Sequence, residues 1–248
     1  MSDRRPRPQR TTKQPRRARE GRAGRSQRAA GGERTPMVHL SDESVAELKA
    51  TARPGKGEIL VKVFAEAATA FAQEDFDEAI KLGEQAKHIA LRAAGPRELL
   101  GLAYYHSGLW KEAARELAAF RRITGSTEQN PVLADCYRAQ GKPEKALEYI
   151  AEMDPGLPPA VLFEGAIVAA GALAEMDRVE EAIAGMEALE LDPVAAEQHH
   201  LRAWYVHGDL LERRGRFTQA AAYFDAVANS DPELADAGAR AAHLKRRG

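Results

Sequence analysis

A unit of about 34 residues recurs five times between residues 58 and 232, and this repetition limits the fold more than any other property of the chain. Its register is marked by a bulky or ring residue followed three positions later by alanine: Phe76 and Ala79, Trp110 and Ala113, Pro143 and Ala146, Val179 and Ala182, Phe217 and Ala220. Successive alanines lie 34, 33, 36 and 38 residues apart. Four positions past each stands Gly83, Leu117, Ile150, Met186 or Phe224, one helical turn further along the same face. Twelve positions before each is a small residue, Ala67, Gly101, Ala134, Ala170 or Gly208, where a second helix can approach closely. Alanine supplies much of the 44% hydrophobic content and aromatics only 6%, a balance that suits helices packed on helices and is poor in strand formers.

The pattern resembles the tetratricopeptide repeat, whose period is 34 and whose signature runs W-x2-L-G-x2-Y, then A-x3-F, then P. The fifth unit carries most of it: Trp204, His207, Gly208, Leu211, Gly215, Phe217, Ala220, Phe224 and Pro232. The second has Leu100, Gly101, Tyr104, Gly108, Trp110, Ala113 and Leu117, and the third Leu133, Ala134, Tyr137, Gly141, Ala146 and Ile150. Units one and four depart from it, with Glu66 and Gly83 in the first and Ala169 in the fourth at positions the family fills with larger apolar residues. The resemblance implies an all-α, right-handed solenoid of about five helix pairs, with turns at Gly108, Gly141 and Gly215. Each pair cannot bury its apolar faces alone, so neighbours stack and leave a concave groove.

Both ends then need covers. Ser41 can cap a short helix carrying Val45 and Leu48 before Arg53, Pro54 and Gly55 break it, so 41–57 is expected to be an N-terminal cap and linker. Asp231, Pro232 and Glu233 start a last helix, within 233–248, whose Leu234, Ala237, Ala241 and Leu244 share one face.

Charge divides the chain sharply. Residues 1–35 hold eleven Arg and Lys13 against Asp3, Glu20 and Glu33, which is 12 − 3 = +9, and the remainder carries 24 − 34 = −10. Residues 1–36 are too polar and self-repelling to offset the entropy of ordering, and a disordered tail is expected. This arginine-rich lead before Ala-rich repeats resembles small bacterial tetratricopeptide proteins of actinobacterial type. Its arginines Arg4, Arg5, Arg7, Arg10, Arg16, Arg17, Arg19, Arg22, Arg25 and Arg28 are candidates for contact with RNA or DNA phosphate, for masking the chain's own groove, or for solubility alone.

Catalytic signatures are missing: the chain has no P-loop, G-x-S-x-G elbow, HExxH or G-x-G-x-x-G after a strand. His200 and His207 on one helix stand roughly 10 Å apart by helix rise, too far to share an ion unaided. Cys136, the only cysteine, excludes an internal disulfide and fits a reducing cytoplasm. No stretch is long and apolar enough for a membrane span. A non-enzymatic scaffold without cofactor or metal is the expectation, with an RNA- or ribosome-associated adaptor as the alternative.

In the family the groove is lined by one face of each first helix. Carried over by register, that face comprises Phe64, Ala68 and Phe71 in unit one, Glu98, Leu102, Tyr105 and His106 in unit two, and Asp135 and Arg138 in unit three. Glu164, Ile167 and Glu175 follow in unit four, then Arg202, Tyr205, Asp209, Glu212 and Arg213 in unit five. The Lys, Asn and Arg set with which some members clamp a terminal carboxylate is absent. Aromatic and apolar positions alternate with an excess of acids, so a basic or amphipathic peptide or protein segment is the expected ligand.

Overall fold

A computed structural model describes residues 37–189, 196–234 and 236–247. The predicted tail, with its arginines, lies outside the described residues. Twelve helices and no strands occur among the described residues. The first, α1 (Asp42–Thr51), begins where the Ser41 side chain accepts a hydrogen bond from the Ser44 amide at 3.2 Å. Five antiparallel pairs follow: α2 (Gly57–Ala72) with α3 (Phe76–Ile89), α4 (Ala94–His106) with α5 (Trp110–Thr124), α6 (Asn130–Ala139) with α7 (Pro143–Ala151), α8 (Pro159–Glu175) with α9 (Val179–Glu187), and α10 (Gln198–Arg213) with α11 (Phe217–Ser230). The last helix, α12 (Ala237–Leu244), packs on α11. The first helices of consecutive pairs touch in series, α2 on α4, α4 on α6, α6 on α8 and α8 on α10. The fold is an all-helical solenoid whose first helices form one continuous floor.

One turn design joins the helices of every pair. Three residues separate them, and the middle one is left-handed: Gly108, Gly141 and Gly215, as the sequence predicts, but also Glu74 (φ 59°) and Asp177 (φ 61°). In each turn the following amide reaches back five residues, as from Leu109 to the Tyr104 carbonyl at 2.9 Å, and the middle amide reaches back three, as from Gly108 to Tyr105 at 2.9 Å. Asp75 to Ala70 and Arg178 to Leu173 repeat the five-residue bond at 2.9 and 2.8 Å. This satisfies carbonyls that every helix end leaves without partners. Glycine is thus the cheap occupant of the position and not a requirement for it.

The repeat alanines are where the register puts them. Ala79, Ala113, Ala146, Ala182 and Ala220 are all buried. The small residues on the first helices face the larger residue one turn past each alanine across tight crossings: a methyl group added at Gly101 would lie 2.5 Å from Leu117 Cγ, and one at Gly208 would lie 3.0 Å from Phe224 Cζ. Even unit one, whose Gly83 departs from the family pattern, uses that glycine to let α4 come close, since a Cβ there would be 2.9 Å from Leu100 Cγ. Enlarging a repeat alanine therefore has nowhere to go. Ala146→Leu should cost about 1–3 kcal/mol by overpacking α6 against α7, visible as a lower Tm, and an unchanged Tm would show the crossing to be loose.

Candidate functional site

The floor of first helices opens into a cleft of about 560 Å³ lined mainly by α6, α8 and α10, with Tyr105 of α4 at one end and Arg240 of α12 at the other. On α10, Arg202, Val206, Asp209 and Arg213 follow the spacing of one helical face, and on α8 Glu164, Ile167, Gly171 and Glu175 do the same. The centre is apolar, made by Ile167, Val168, Val206 and Leu210, and a smaller recess of about 170 Å³ continues it between Ile167, Val206, Tyr205 and Leu234.

Around this centre the charged side chains tie one first helix to the next. The Tyr105 hydroxyl of α4 donates to Asp135 of α6 at 2.8 Å, and Arg138 Nε donates to the other oxygen of the same carboxylate at 2.7 Å. Arg138 then crosses to Glu175 of α8, passing beside Gly171, and Arg202 of α10 pairs with Glu164 of α8. Burial, with the hydrogen bond and charge of Asp135, raises the pKa of the Tyr105 phenol, so this hydroxyl stays a donor. Burial works against the charge on Arg138, but its bonds to Asp135 and Glu175 outweigh it and strengthen the proton's hold.

At the far end Arg240 turns back over α10. Its Nη2 donates to Asp209 at 2.9 Å and to Glu212 at 2.5 Å, its Nε to Glu212 at 3.1 Å and its Nη1 to the Tyr205 oxygen at 3.2 Å. The guanidinium lies 4.2 Å from the centre of the Phe224 ring and 5.4 Å from that of Tyr205. Tyr205 in turn donates to Asp236 at 2.6 Å. Burial disfavours the charge on Arg240, yet bonds to Glu212, Tyr205 and Asp209 overcome it and push its pKa above the ordinary arginine value.

Ten of the seventeen groove residues expected from the register meet in this cleft: Tyr105, Asp135, Arg138, Glu164, Ile167, Glu175, Arg202, Tyr205, Asp209 and Arg213. Glu212 joins them through Arg240. Phe64, Phe71, Glu98 and Leu102 are not among its lining residues. Phe64 packs into the core beside Gly95, where a Cβ would be 3.1 Å from its ring, and Phe71 sits edge-on to Phe76 and His106 at 5.6 and 5.8 Å. Glu98 accepts from Gln129 of the next unit at 2.9 Å, and Leu102 is half-buried on α4. Four carboxylates, Asp135, Glu164, Glu175 and Asp209, share the lining with four guanidinium groups, Arg138, Arg202, Arg213 and Arg240, so the acid excess read from the first helices is offset within the cleft.

The histidines have other surroundings. His207 is buried against Tyr223, ring centres 4.4 Å apart, with neither ring nitrogen hydrogen-bonded, while His199 and His200 stand edge-on to Phe163. No group of three or more His, Cys, Asp or Glu residues among the described residues could hold a metal ion. Cys136 is buried, and burial together with the charge of Asp135 pushes its thiol up to about 12.

No family model and no curated protein matches the sequence. Solved structures do match the fold. YrrB, described as a TPR protein with an unusual peptide-binding site, aligns with a TM-score of 0.52 at 19% identity over 82% of this chain and 96% of that one. TTC0263, a thermophilic TPR protein of Thermus thermophilus, aligns with a TM-score of 0.57 at 16% identity over 75% and 99%. The chain has the tetratricopeptide-repeat fold. Within this TPR fold the register finds the ladder of polar residues on the first helices but misses Val168, Gly171, Ala174, Val206, Leu210 and Arg240. The first five follow from the same helical faces once the apolar positions between the charges are counted. Arg240 leaves no such trace, because it belongs to a helix outside the repeats and reaches 28 to 35 residues back.

Proposed function

We propose that the chain is a non-enzymatic scaffold that holds a peptide or protein segment in the concave cleft. The observation that carries this reading is the apolar centre formed by Ile167, Val168 and Val206 above the buried Leu210, ringed by charged groups whose positions are fixed by pairing. Its volume falls in the range of roughly 300–1,000 Å³ usual for ligand sites. Fixed, paired charges favour recognition over chemistry, because they orient a partner without supplying a free base or nucleophile. The +9 of residues 1–35 supports a second reading, phosphate contact with RNA or DNA, which would act alongside the cleft and not through it.

Gly171 allows a direct test. A side chain there would enter the cleft, and its Cβ would meet only the Arg138 side chain at 3.5 Å, an ordinary contact. Gly171→Phe should therefore fold as well as the parent, since replacing a glycine inside a helix is itself favourable. Peptides selected from a displayed random library on the full chain should lose at least about tenfold in affinity, roughly 1.4 kcal/mol, for the Gly171→Phe protein. Selected peptides that bind both proteins equally would remove the cleft from the proposal.

A further inference from the structure

Asp209, Glu212, Tyr205 and Phe224 make a complete receptor for one guanidinium group. Two carboxylates accept from it, a phenol oxygen accepts from it, and an aromatic ring lies against its face. Such planar, multiply bonded recognition suits arginine and not lysine. The group that fills it belongs to α12, and the residues that follow α12 make contacts of the same character. Lys245 pairs with Asp225 of α11 at 2.6 Å, and Arg247 lies over the Phe217 ring at 4.3 Å. Its apolar anchors are two alanines and one leucine, Ala237, Ala241 and Leu244. In effect the last pair, α10 and α11, presents an acidic and aromatic surface on which a short basic amphipathic helix is docked.

That helix has little to hold it besides this docking. It spans eight residues, well below the roughly 12–15 needed for an isolated helix to persist in water, so its order depends on the surface beneath it. Three attachments of α12 and the residues just after it are charge pairs or cation–π contacts, two of them near solvent, and such contacts weaken in salt.

We infer that the surface of α10 and α11 is a binding site for a partner's basic amphipathic helix carrying one arginine ahead of an apolar residue, and that α12 occupies this site in the resting chain. The inference builds on the scaffold reading and names its ligand. It also accounts for part of the balanced charge of the cleft: with α12 in place Arg240 bonds to Asp209 and Glu212, and with α12 displaced Glu212 and Asp209, the latter still paired with Arg213 at 2.7 Å, face the partner. The partner supplies the arginine that α12 withdraws, so the ligand competes with α12 for one set of contacts and its apparent affinity falls by the fraction of time the site is filled.

A labelled peptide copying residues 231–247 tests this against its Arg240→Gln counterpart. Fluorescence anisotropy is measured on the full chain, on an Arg240→Gln protein, and on a protein carrying Arg240→Gln together with Asp209→Asn and Glu212→Gln. The arginine peptide should bind the Arg240→Gln protein at least about tenfold more tightly than the parent, because the receptor is no longer filled. The glutamine peptide should not gain, and the triple variant should lose the gain. Equal binding to parent and Arg240→Gln, no binding to either, or equal binding of the two peptides would each overturn the inference. A second measurement uses the unaltered chain: saturating arginine peptide should speed hydrogen exchange in 237–244, and unchanged exchange there would overturn it as well. The cleft around Gly171 is judged separately by its own variant, so failure here leaves that reading standing.

Discussion

Replacing Glu116 with glutamine should lower the stability of the chain by about 3 kcal/mol near neutral pH, although the side chain keeps its shape and is not among those lining the cleft. Glu116 is 1% exposed, and three cations converge on its carboxylate: Arg97 Nη1 at 2.5 Å, Lys87 Nζ at 3.2 Å and Arg115 Nε at 3.1 Å. Lys87 also pairs with Glu84 at 2.5 Å, and Glu84 accepts from the Tyr104 hydroxyl at 2.9 Å, so the network ties α3, α4 and α5 together. Removing one member leaves the cations without a counter-charge, and the low end of the usual cost applies because Lys87 and Arg97 remain 11% and 18% exposed. Burial raises the Glu116 pKa, but the bonds from Arg97, Lys87 and Arg115 outweigh it and hold the carboxyl below its ordinary value. A lowered folded pKa means the stabilisation is fully present above the ordinary carboxylate range and is lost as pH falls through that range to the folded value. Urea unfolding at neutral pH should separate parent and Glu116→Gln, and the gap should close in acid. Equal stability at neutral pH would show that the buried network only breaks even against its desolvation.

Phe224→Ala should cost about 3–5 kcal/mol, the range for emptying a large buried aromatic site. Phe224 is wholly buried at the crossing of α10 and α11, where Gly208 leaves room for it, and its ring also carries the face on which Arg240 rests. A loss of this size is a large part of the total stability of most domains. The same substitution should loosen α12, because the cation–π contact and the Tyr205 edge contact at 5.3 Å go with the ring. Thermal unfolding measures the first effect and hydrogen exchange of Ala237–Leu244 the second. A Tm unchanged within a degree would mean that the crossing is not tightly packed.

The contrast between Phe224 and Glu116 shows what this sequence discloses. Phe224 stands in a register of five equivalent positions, and Gly208 opposite it is small for the same steric reason as Gly101, Ala67, Ala134 and Ala170, so the helix pairing can be read directly from spacing. The polar face of each first helix follows from the same register, and Asp135, Arg138, Glu164, Arg202 and Asp209 do meet around one cleft. Glu116 offers a weaker signal. It lies three residues after Ala113 and four before Phe120, inside the apolar stripe of α5, where a lone acid must find cations or be displaced from the core. Arg115 is its neighbour on α5, but the two less exposed partners, Arg97 and Lys87, are 19 and 29 residues away on other helices, and no local pattern identifies them. Arg240 is hidden for a related reason: its role depends on the path of the chain through Asp236, not on a helical face shared with the repeats. Glu74 and Asp177 escape notice as turn residues because the repeat marks the left-handed position by glycine in the other three turns.

Those five left-handed residues have one more consequence. Glu74, Gly108, Gly141, Asp177 and Gly215 each stand five residues ahead of the repeat alanine, so the turn and the crossing keep a fixed phase even where the spacing between units grows to 36 and 38. The extra residues enter in the link to the next pair and in its first helix, since α8 and α10 run to 17 and 16 residues while the second helices α7 and α9 are only 9 each. A segment running from one left-handed residue to the next begins and ends in the same backbone conformation with the same hydrogen bonds already in place. Such segments are interchangeable cassettes: an array could be lengthened, shortened or shuffled at these joints without reshaping either edge of the cut, whereas a join made within the links between pairs would have to reconcile segments of unequal length.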